Sequence, residues 1–262
     1  MPQTSATLNV MIAAARKTAR ALARDFGEVE NLQISRKGPS DFVSSADLKA
    51  EKTLFEELSK ARPGYSFVME ERGVVEGTDK SHRWLVDPLD GTTNFLHGLP
   101  HFAISIGLER EGVLVAGVVY NVARDELFWA EKGGGAFLND RRLRVTGRSD
   151  MREALFATGA PFHGKAGHEA FLSEVERVIA VSAGVRRWGA ASLDLAYVAA
   201  GRFDGFWERG LNAWDIAAGA VLVREAGGVV TEVDGGDFMK TGAVLAANTS
   251  LAPALTRTLR GG

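Results

Sequence analysis

Residues 84–95 read WLVDPLDGTTNF, in which an apolar strand ends on two carboxylates, a glycine and two hydroxyl side chains. Pro88 forbids further ladder pairing after Asp87, so we expect the chain to turn and bring Asp90 back beside Asp87. Two carboxylates held this close repel one another unless a cation lies between them. Gly91 allows close backbone approach, and the residues after it predict a helical turn whose free N–H groups bind a phosphate. The alternative is a turn that only caps a helix, and the whole pattern favours a metal–phosphate site.

Two further acidic segments are candidates for the same site. Glu70 and Glu71 follow a predicted strand over residues 65–69, and neighbouring side chains point to opposite sides of a strand. At most one of them therefore faces a metal, and taken alone the pair is better explained as a solvated turn. Asp215 begins a helix predicted over 216–226, where it would act as the N-cap. That role leaves one carboxylate oxygen for a metal, so the two interpretations are compatible.

The composition is that of an ordinary globular protein and excludes several kinds of chemistry. Of 262 residues, 45% are hydrophobic and 24% are charged, and 31 Lys and Arg against 33 Asp and Glu give a formal net charge of −2. Such a charge argues against direct nucleic-acid binding, which needs a strong positive field. Cysteine is absent, which rules out disulfides, thiolate-bound zinc and a cysteine nucleophile, and fits a cytoplasmic protein. The apolar stretches are too short to span a membrane.

The N-terminal segment has two interpretations. No acidic residue precedes Asp25, whereas several basic ones do, which is typical of a transit peptide. Apolar residues at helical spacing, including Leu8, Ile12 and Leu22, instead indicate an amphipathic helix that ends at Gly27. We favour the amphipathic helix.

The order of the predicted elements divides the chain near residue 146. Residues 1–145 contain two helices and a series of short strands with short connections, typical of an antiparallel meander. Residues 146–262 alternate strands with helices, which is the α/β pattern. We expect an α+β N-terminal half and an α/β C-terminal half that pack as one unit.

Together, these motifs resemble those of the inositol monophosphatase family. Residues 87–93 (DPLDGTT) are similar to its first signature, and residues 214–228 contain its second, WDIAAG followed by EAGG. Residues 41–47 and Glu70-Glu71 match two further family segments at the expected places. Residues 187–210 look closest to the bacterial branch called extragenic suppressor proteins.

The resemblance implies a fold, an activity and a set of site residues. The fold is a layered αβαβα sandwich of the inositol monophosphatase / fructose-1,6-bisphosphatase type, usually a homodimer. The activity is Mg²⁺-dependent hydrolysis of a small phosphate monoester, above all inositol-1-phosphate, with two or three ions per site. Most metal ligands then lie in residues 1–145, and Asp215 and the substrate contacts lie in residues 146–262.

The resemblance also assigns roles to individual residues. The first metal would be held by Glu70, Asp87 and the carbonyl of Leu89, and the second by Asp87, Asp90 and Asp215. Thr92, supported by Glu70 or Asp47, would position the attacking water. Substrate contacts would come from Gly91, Thr92, Thr93, Ala191 and Glu208, of which Glu208 binds substrate hydroxyls. Inhibition by Li⁺ is implied as well.

One departure and several alternatives stay open. Met69 stands where the family usually has glycine, and we expect it to crowd the edge of the site and to affect substrate preference. Fructose-1,6-bisphosphatase, adenosine 3′,5′-bisphosphatase and histidinol-phosphatase activities use similar metal sites. A bisphosphatase would need basic residues around a second phosphate, and Arg186, Arg187 and Arg209 are available. The suppressor-protein resemblance implies, as a different class of function, a regulatory partner in the transcription or ribosome-assembly machinery.

Overall fold

A computed structural model describes residues 4–29, 34–38 and 41–261 of the chain. Its helices are α1 (Ala6–Phe26), α2 (Ser45–Ala61), α3 (Thr92–Leu96), α4 (His168–Ile179), α5 (Ala191–Ala199), α6 (Ala213–Glu225), α7 (Phe238–Thr241) and α8 (Ala252–Arg260). Strands of the first half are β1 (Ile34–Gly38), β2 (Asp41–Ser44), β3 (Tyr65–Met69), β4 (Gly73–Val75), β5 (Asp79–Asp90), β6 (Ala103–Arg110), β7 (Val113–Asn121), β8 (Glu126–Glu131), β9 (Gly135–Leu138) and β10 (Arg141–Arg142). Strands of the second half are β11 (Leu155–Thr158), β12 (Gly184–Arg186), β13 (Gly205–Glu208), β14 (Val229–Glu232) and β15 (Val244–Ala247).

Two large sheets are formed by different parts of the chain. The eight-stranded sheet has the order β10-β9-β8-β7-β6-β5-β3-β4, and β5 to β9 form the predicted antiparallel meander. The expected meander also included the strand over residues 65–69, and this part is wrong, because β3 lies parallel to β5. The five-stranded sheet has the order β12-β11-β13-β15-β14, with β11 parallel to both of its neighbours. The ribbon β1-β2 forms a separate antiparallel pair.

The elements stack in five layers. Their order is α1 with α2, the eight-stranded sheet, α5 with α6, the five-stranded sheet, and α4 with α8. Alternation along the strands supplies the cores between these layers, since successive side chains point to opposite faces. Trp84 and Val86 pack against α1 and α2, whereas Leu85 between them faces the middle helices; Phe206 faces the middle helices and Trp207 the outer ones. The predicted αβαβα sandwich is confirmed.

Helix α1 is the amphipathic helix that the apolar spacing predicts. Leu8, Met11 and Leu22 are buried against the eight-stranded sheet, Ser5 caps the first turn, and Gly27 follows the last. Across the described ranges, no helix combines the length and the apolar character that crossing a membrane requires.

Strand β5 corrects the expectation for Pro88. The strand does not end at Asp87 but continues to Asp90 through a bulge, since Asp87 pairs with Ser105 and Asp90 pairs with Ala103. Proline is tolerated at a bulge because the missing N–H is not needed for ladder pairing there. The bulge, and not the expected turn, keeps both carboxylates at one end of the strand.

Candidate active site

Parallel pairing of β3 with β5 brings the first two acidic residues together. Met69, the last residue of β3, lies opposite Val86, and the next residues along the two strands are Glu70 and Asp87. The N–H of Glu70 donates to the carbonyl of Val86 at 3.3 Å, which extends the ladder by one bond. Carboxyl ends of parallel strands meet at the same edge of a sheet, so these two side chains become neighbours, although no local pattern in the sequence shows this pairing.

The bulge of β5 fixes Asp87 and Asp90 by different means. The N–H of Leu89 donates to Oδ1 of Asp87 at 2.9 Å, which closes a small turn inside the bulge. Oδ2 of Asp90 accepts two bonds from Ser192 in the first turn of α5, from the N–H at 2.8 Å and from the hydroxyl at 2.5 Å. Asp90 is therefore held by the middle helical layer as well as by its own strand.

Asp215 approaches the same edge from helix α6. The helix begins at Ala213 with Asn212 as its N-cap, so the expectation that Asp215 is the N-cap is wrong. Asp215 is the third helical residue, and its Oδ2 accepts the N–H of Asn212 at 2.7 Å, the acidic half of a capping box. Its charge also acts on Asp87, whose pKa it raises.

The pKa values of Asp87, Asp90 and Asp215 at this edge are all raised. Burial is the main cause that raises the pKa of Asp87 well above its ordinary value, and three neighbours add to it: Glu70, Asp90 and Asp215. Burial raises the pKa of Asp90 to about 6, against the opposing hydrogen bonds from Ser192. Burial, and then the charge of Asp90, raises the pKa of Asp215 to about 8. Negative charge is thus concentrated where the surroundings compensate it poorly.

This donor set suits a hard cation. In the described parts of the chain, no three His, Cys, Asp or Glu side chains are drawn together into a finished metal cage. The carboxylates are nevertheless close enough to repel one another, and Leu89, whose carbonyl accepts the hydroxyl of Thr92, lines the same cavity. Carboxylate and carbonyl oxygens are the ligands that Mg²⁺ prefers, and a cation would relieve the repulsion that their raised pKa values record.

Thr92 and Asp47 form a second, smaller arrangement beside the carboxylates. The hydroxyl of Thr92 lies 3.0 Å from Oδ1 of Asp47 and 3.0 Å from the carbonyl oxygen of Leu89. Asp47 is fully buried, and its Oδ2 accepts the N–H of Ser44 at 2.8 Å and the Ser44 hydroxyl at 2.5 Å. Burial, the largest cause, raises the pKa of Asp47. Asp47 therefore orients Thr92 from behind.

A cavity of about 820 Å³ opens at this edge. Asp47 does not line this cavity. The cavity walls contain every residue to which the family resemblance assigned a metal or substrate contact: Glu70, Asp87, Leu89, Asp90, Gly91, Thr92, Thr93, Ala191, Glu208 and Asp215. Gly91 has φ +90°, and a Cβ there would lie 3.0 Å from the carbonyl oxygen of His101. Only glycine fits that turn without strain, and the turn leads the backbone of residues 91–93 along the wall.

The far wall of the cavity is built from the second half of the chain. Glu208, the last residue of β13, faces the cavity beside Arg187 and the loop 160–166. Burial, followed by the charge of Asp215, raises the pKa of Glu208 to about 8, and Arg187 opposes that rise. Arg209 also lines the cavity, but its guanidinium is engaged by Glu174 and Asp234.

Some residues at or near the site were not predicted from the sequence. Ser192 was not singled out, because nothing in residues 189–200 links it to Asp90, which lies 102 positions earlier. The sequence of the loop 160–166 did not indicate that it would line the cavity either. Asp194 is buried with both oxygens lacking a hydrogen-bond partner among the described residues, and burial, the largest cause, raises its pKa.

The expectation for Met69 is not met. Its side chain is fully buried in the core beneath α1 and α2, next to Trp84 and Val86, and does not crowd the cavity. Alternation along β3 explains this position, since Glu70 points towards the cavity and the residue before it must point away.

Known proteins match this chain along nearly its whole length. The model of the inositol monophosphatase family matches residues 3–261. An inositol-1-monophosphatase of Mesorhizobium japonicum is 62% identical, over 98% of this chain and 97% of its own. A Nus factor SuhB of Pseudomonas aeruginosa is 44% identical, over 97% of this chain and 95% of its own. The crystal structure of the extragenic suppressor protein suhB from Bartonella henselae has a TM-score of 0.96 at 56% identity, over 98% of this chain and 100% of that one.

These matches confirm the resemblance that four separate motifs indicated. A shared fold alone would leave the chemistry open, but here the fold, the family model and the curated relatives agree over the same residues. The chain belongs to the inositol monophosphatase family, a family of phosphoric monoester hydrolases.

Proposed function

We propose that this protein hydrolyses inositol-1-phosphate to inositol and phosphate with the help of Mg²⁺. The observation that carries the proposal is the group of mutually repelling carboxylates on one wall of an open cavity, beside the backbone of residues 91–93. The relatives named inositol-1-monophosphatase support the choice of substrate.

The residues fit the metal that the family implies. Glu70, Asp87 and the carbonyl of Leu89 would hold one ion, and Asp87, Asp90 and Asp215 a second. When bound, Mg²⁺ offsets the negative charge of the carboxylates and the phosphate, and it supports both the attacking and the leaving oxygen. Asp87 would be shared by both ions. Its pKa supports this role, because Glu70, Asp90 and Asp215 each raise it.

The chain's own groups bind and orient the reactants. The Thr92 hydroxyl, held by Asp47, orients the water whose oxygen forms the new bond to phosphorus. The amides of Gly91, Thr92 and Thr93 bind the phosphate oxygens, where main-chain donors stabilise developing charge. The attacking water releases one proton to solvent as it bonds to phosphorus, the bond between phosphorus and the inositol oxygen breaks, and that oxygen takes up a proton from solvent. Glu208 and the backbone at Ala191 bind the hydroxyls of the ring.

A substrate panel tests the proposal. Phosphate release would be measured for inositol-1-phosphate, 2-glycerophosphate, fructose-1,6-bisphosphate, adenosine 3′,5′-bisphosphate and histidinol phosphate, with Mg²⁺ and with a chelator. We expect inositol-1-phosphate to give the highest kcat/KM and the chelator to abolish release. Undiminished activity in the chelator would contradict the metal assignment, and a clear preference for a bisphosphate would contradict the substrate.

A second candidate function is regulatory. Relatives 42–44% identical carry the name Nus factor SuhB, which favours a partner in the transcription machinery. Cells that lack this protein would be supplied with the wild type or with Asp90→Asn. Rescue by the inactive variant would favour the regulatory role, and rescue by the wild type alone would favour the phosphatase.

Assembly and location complete the proposal. We propose a cytoplasmic homodimer that acts on a small phosphorylated polyol and binds neither membrane nor nucleic acid directly. Light scattering of the purified protein tests the dimer, which would have twice the mass of one chain, and cell fractionation tests the location.

A further inference from the structure

Gly159 and Glu208 lie side by side where two parallel strands end. β11 pairs with β13 in parallel, with Thr158 opposite Trp207, and the next residue of each strand continues this register. Trp207 packs in the core beneath α4 and α8, so alternation directs Glu208 to the other face of the sheet, towards the middle helices and the cavity. A side chain at position 159 would point the same way.

Such a side chain would occupy the space of the Glu208 carboxyl group. A Cβ built on Gly159 would approach the carboxyl carbon and both oxygens of Glu208 far more closely than 3.0 Å, the limit that real Cβ atoms keep. Gly159 is not one of the glycines with positive φ, so its main chain would accept alanine without strain. Glycine is needed at this position for space and not for backbone freedom.

The Glu208 side chain, and not the backbone of either strand, would move to relieve this clash. The atoms in the way form the end of a side chain that turns about several single bonds, whereas the ends of both strands are fixed by the ladder. A methyl group at position 159 would therefore displace the Glu208 carboxylate and leave the fold intact.

We infer that Gly159 is a specificity-positioning residue, which by lacking a side chain seats the Glu208 carboxylate in the wall that binds substrate hydroxyls. This inference rests on the proposed function, in which Glu208 accepts hydrogen bonds from a polyol phosphate. Gly159 acts through Glu208 and lies one residue before Ala160, where the chain joins the cavity wall.

Gly159→Ala tests the inference, with Gly147→Ala as its matched control. No described atom lies within 4 Å of a Cβ built on Gly147, and its φ is not positive either, so the control adds the same methyl group without crowding. At about pH 8.5, where Glu208 is ionised, we expect Gly159→Ala to raise KM for inositol-1-phosphate about ten- to a hundredfold, the loss of a charge-assisted hydrogen bond. KM for 2-glycerophosphate, which has fewer hydroxyls, should change by less than about threefold, and kcat should stay nearly constant.

Double variants separate positioning from a general structural effect. If Gly159 acts only through the carboxylate, Gly159→Ala adds no further loss to Glu208→Ala. Glu208→Asp shortens the side chain by one methylene, so combining it with Gly159→Ala should recover part of the affinity lost in Gly159→Ala alone. Equal losses on both substrates, or losses that add to those of Glu208→Ala, would overturn the inference.

A structural readout keeps this inference separate from the proposed function. If the wild type hydrolyses neither substrate, the proposed function fails, and crystal structures of the Gly159→Ala and Gly147→Ala proteins decide the role of Gly159. A Glu208 carboxylate displaced in the first and unmoved in the second supports the inference. A carboxylate unmoved in both contradicts it.

Discussion

Ser192 donates two hydrogen bonds to a single oxygen of Asp90, from its N–H at 2.8 Å and from its hydroxyl at 2.5 Å. The two residues are 102 positions apart in the chain, one in the bulge of β5 and the other in the first turn of α5. A carboxylate fixed in this way keeps its place when it is charged, and charge-assisted bonds are the stronger kind. Asp90 thus joins the two halves of the site.

Asp90→Asn should remove nearly all Mg²⁺-dependent phosphatase activity, by about a hundredfold or more. Asparagine keeps the size and an oxygen that accepts from Ser192, but it loses the charge that a cation needs. The melting temperature should be unchanged or higher, because one of several repelling charges is gone. Asp140→Asn, an exposed acid outside the cavity, is the matched control. Near-wild-type turnover in folded Asp90→Asn protein would contradict the metal assignment.

Chelation should destabilise the protein more at high pH than at low pH. An unfolded Asp titrates near 3.8, whereas in the folded protein the pKa is about 6 for Asp90 and about 8 for Asp215. Between these values the folded state binds more protons than the unfolded state, so stability falls as pH rises. With chelator, we expect the melting temperature to drop by about 5–10 °C from pH 5 to pH 8.

Two comparisons isolate this effect from other titrating groups. Added Mg²⁺ should stabilise the protein most at pH 8, since a cation binds the charged form. Asp215→Asn should flatten the pH dependence measured in chelator. A melting temperature that Mg²⁺ shifts equally at pH 5 and pH 8 would argue against a cation among these carboxylates.

Li⁺ should inhibit uncompetitively at millimolar concentration. The site formed by Asp87, Asp90 and Asp215 would take up Li⁺ after the ester is cleaved, and phosphate would then leave slowly. Initial rates at several substrate and Li⁺ concentrations would show parallel double-reciprocal lines. NaCl at the same ionic strength serves as the control. Insensitivity to Li⁺ would count against the geometry of this site and not against phosphatase activity.

Glu208→Gln should weaken the binding of inositol-1-phosphate about ten- to a hundredfold. The binding of 2-glycerophosphate should change much less. In the proposed function the Glu208 carboxylate accepts hydrogen bonds from vicinal hydroxyls of the substrate, and an amide would accept them less strongly. Because burial raises the pKa of Glu208 to about 8, kcat/KM is best compared at about pH 8.5, where the group is ionised. An equal loss on both substrates would remove Glu208 from the substrate pocket. Improved hydrolysis of fructose-1,6-bisphosphate would show that its charge also repels a second phosphate.

Met69→Ala should lower the free energy of unfolding by about 2–5 kcal/mol and leave substrate preference unchanged. The side chain is fully buried between the eight-stranded sheet and the outer helices, so truncation leaves a void in that core. Denaturant unfolding measures the loss, with Val74→Ala as a control, since that valine is 65% exposed on the neighbouring strand. A changed ratio of kcat/KM between inositol-1-phosphate and 2-glycerophosphate would place Met69 at the site after all.

Local patterns predicted the elements and the acidic residues, but not the contacts between distant segments. Helix α1 and the strand before Asp87 could be predicted because the apolar pattern of each element lies within a run of neighbouring residues. The bulge at Pro88 was not, since it depends on how β6 pairs with β5. The start of α6 was placed too late because the cap at Asn212 lies among loop residues. Ser192 became visible only when the fold had brought α5 to β5.

The shared middle layer has a consequence for synthesis of the chain. Helices α5 and α6 cover the inner face of the eight-stranded sheet, yet they follow its last strand by about 50 residues and end at Glu225. At ~5–20 residues per second, roughly 80 residues after position 145 take about 4–16 s to translate. During that interval the sheet emerges from the ribosome with an uncovered apolar face. A nascent chain paused there should bind holdase chaperones, and release should coincide with the emergence of α6.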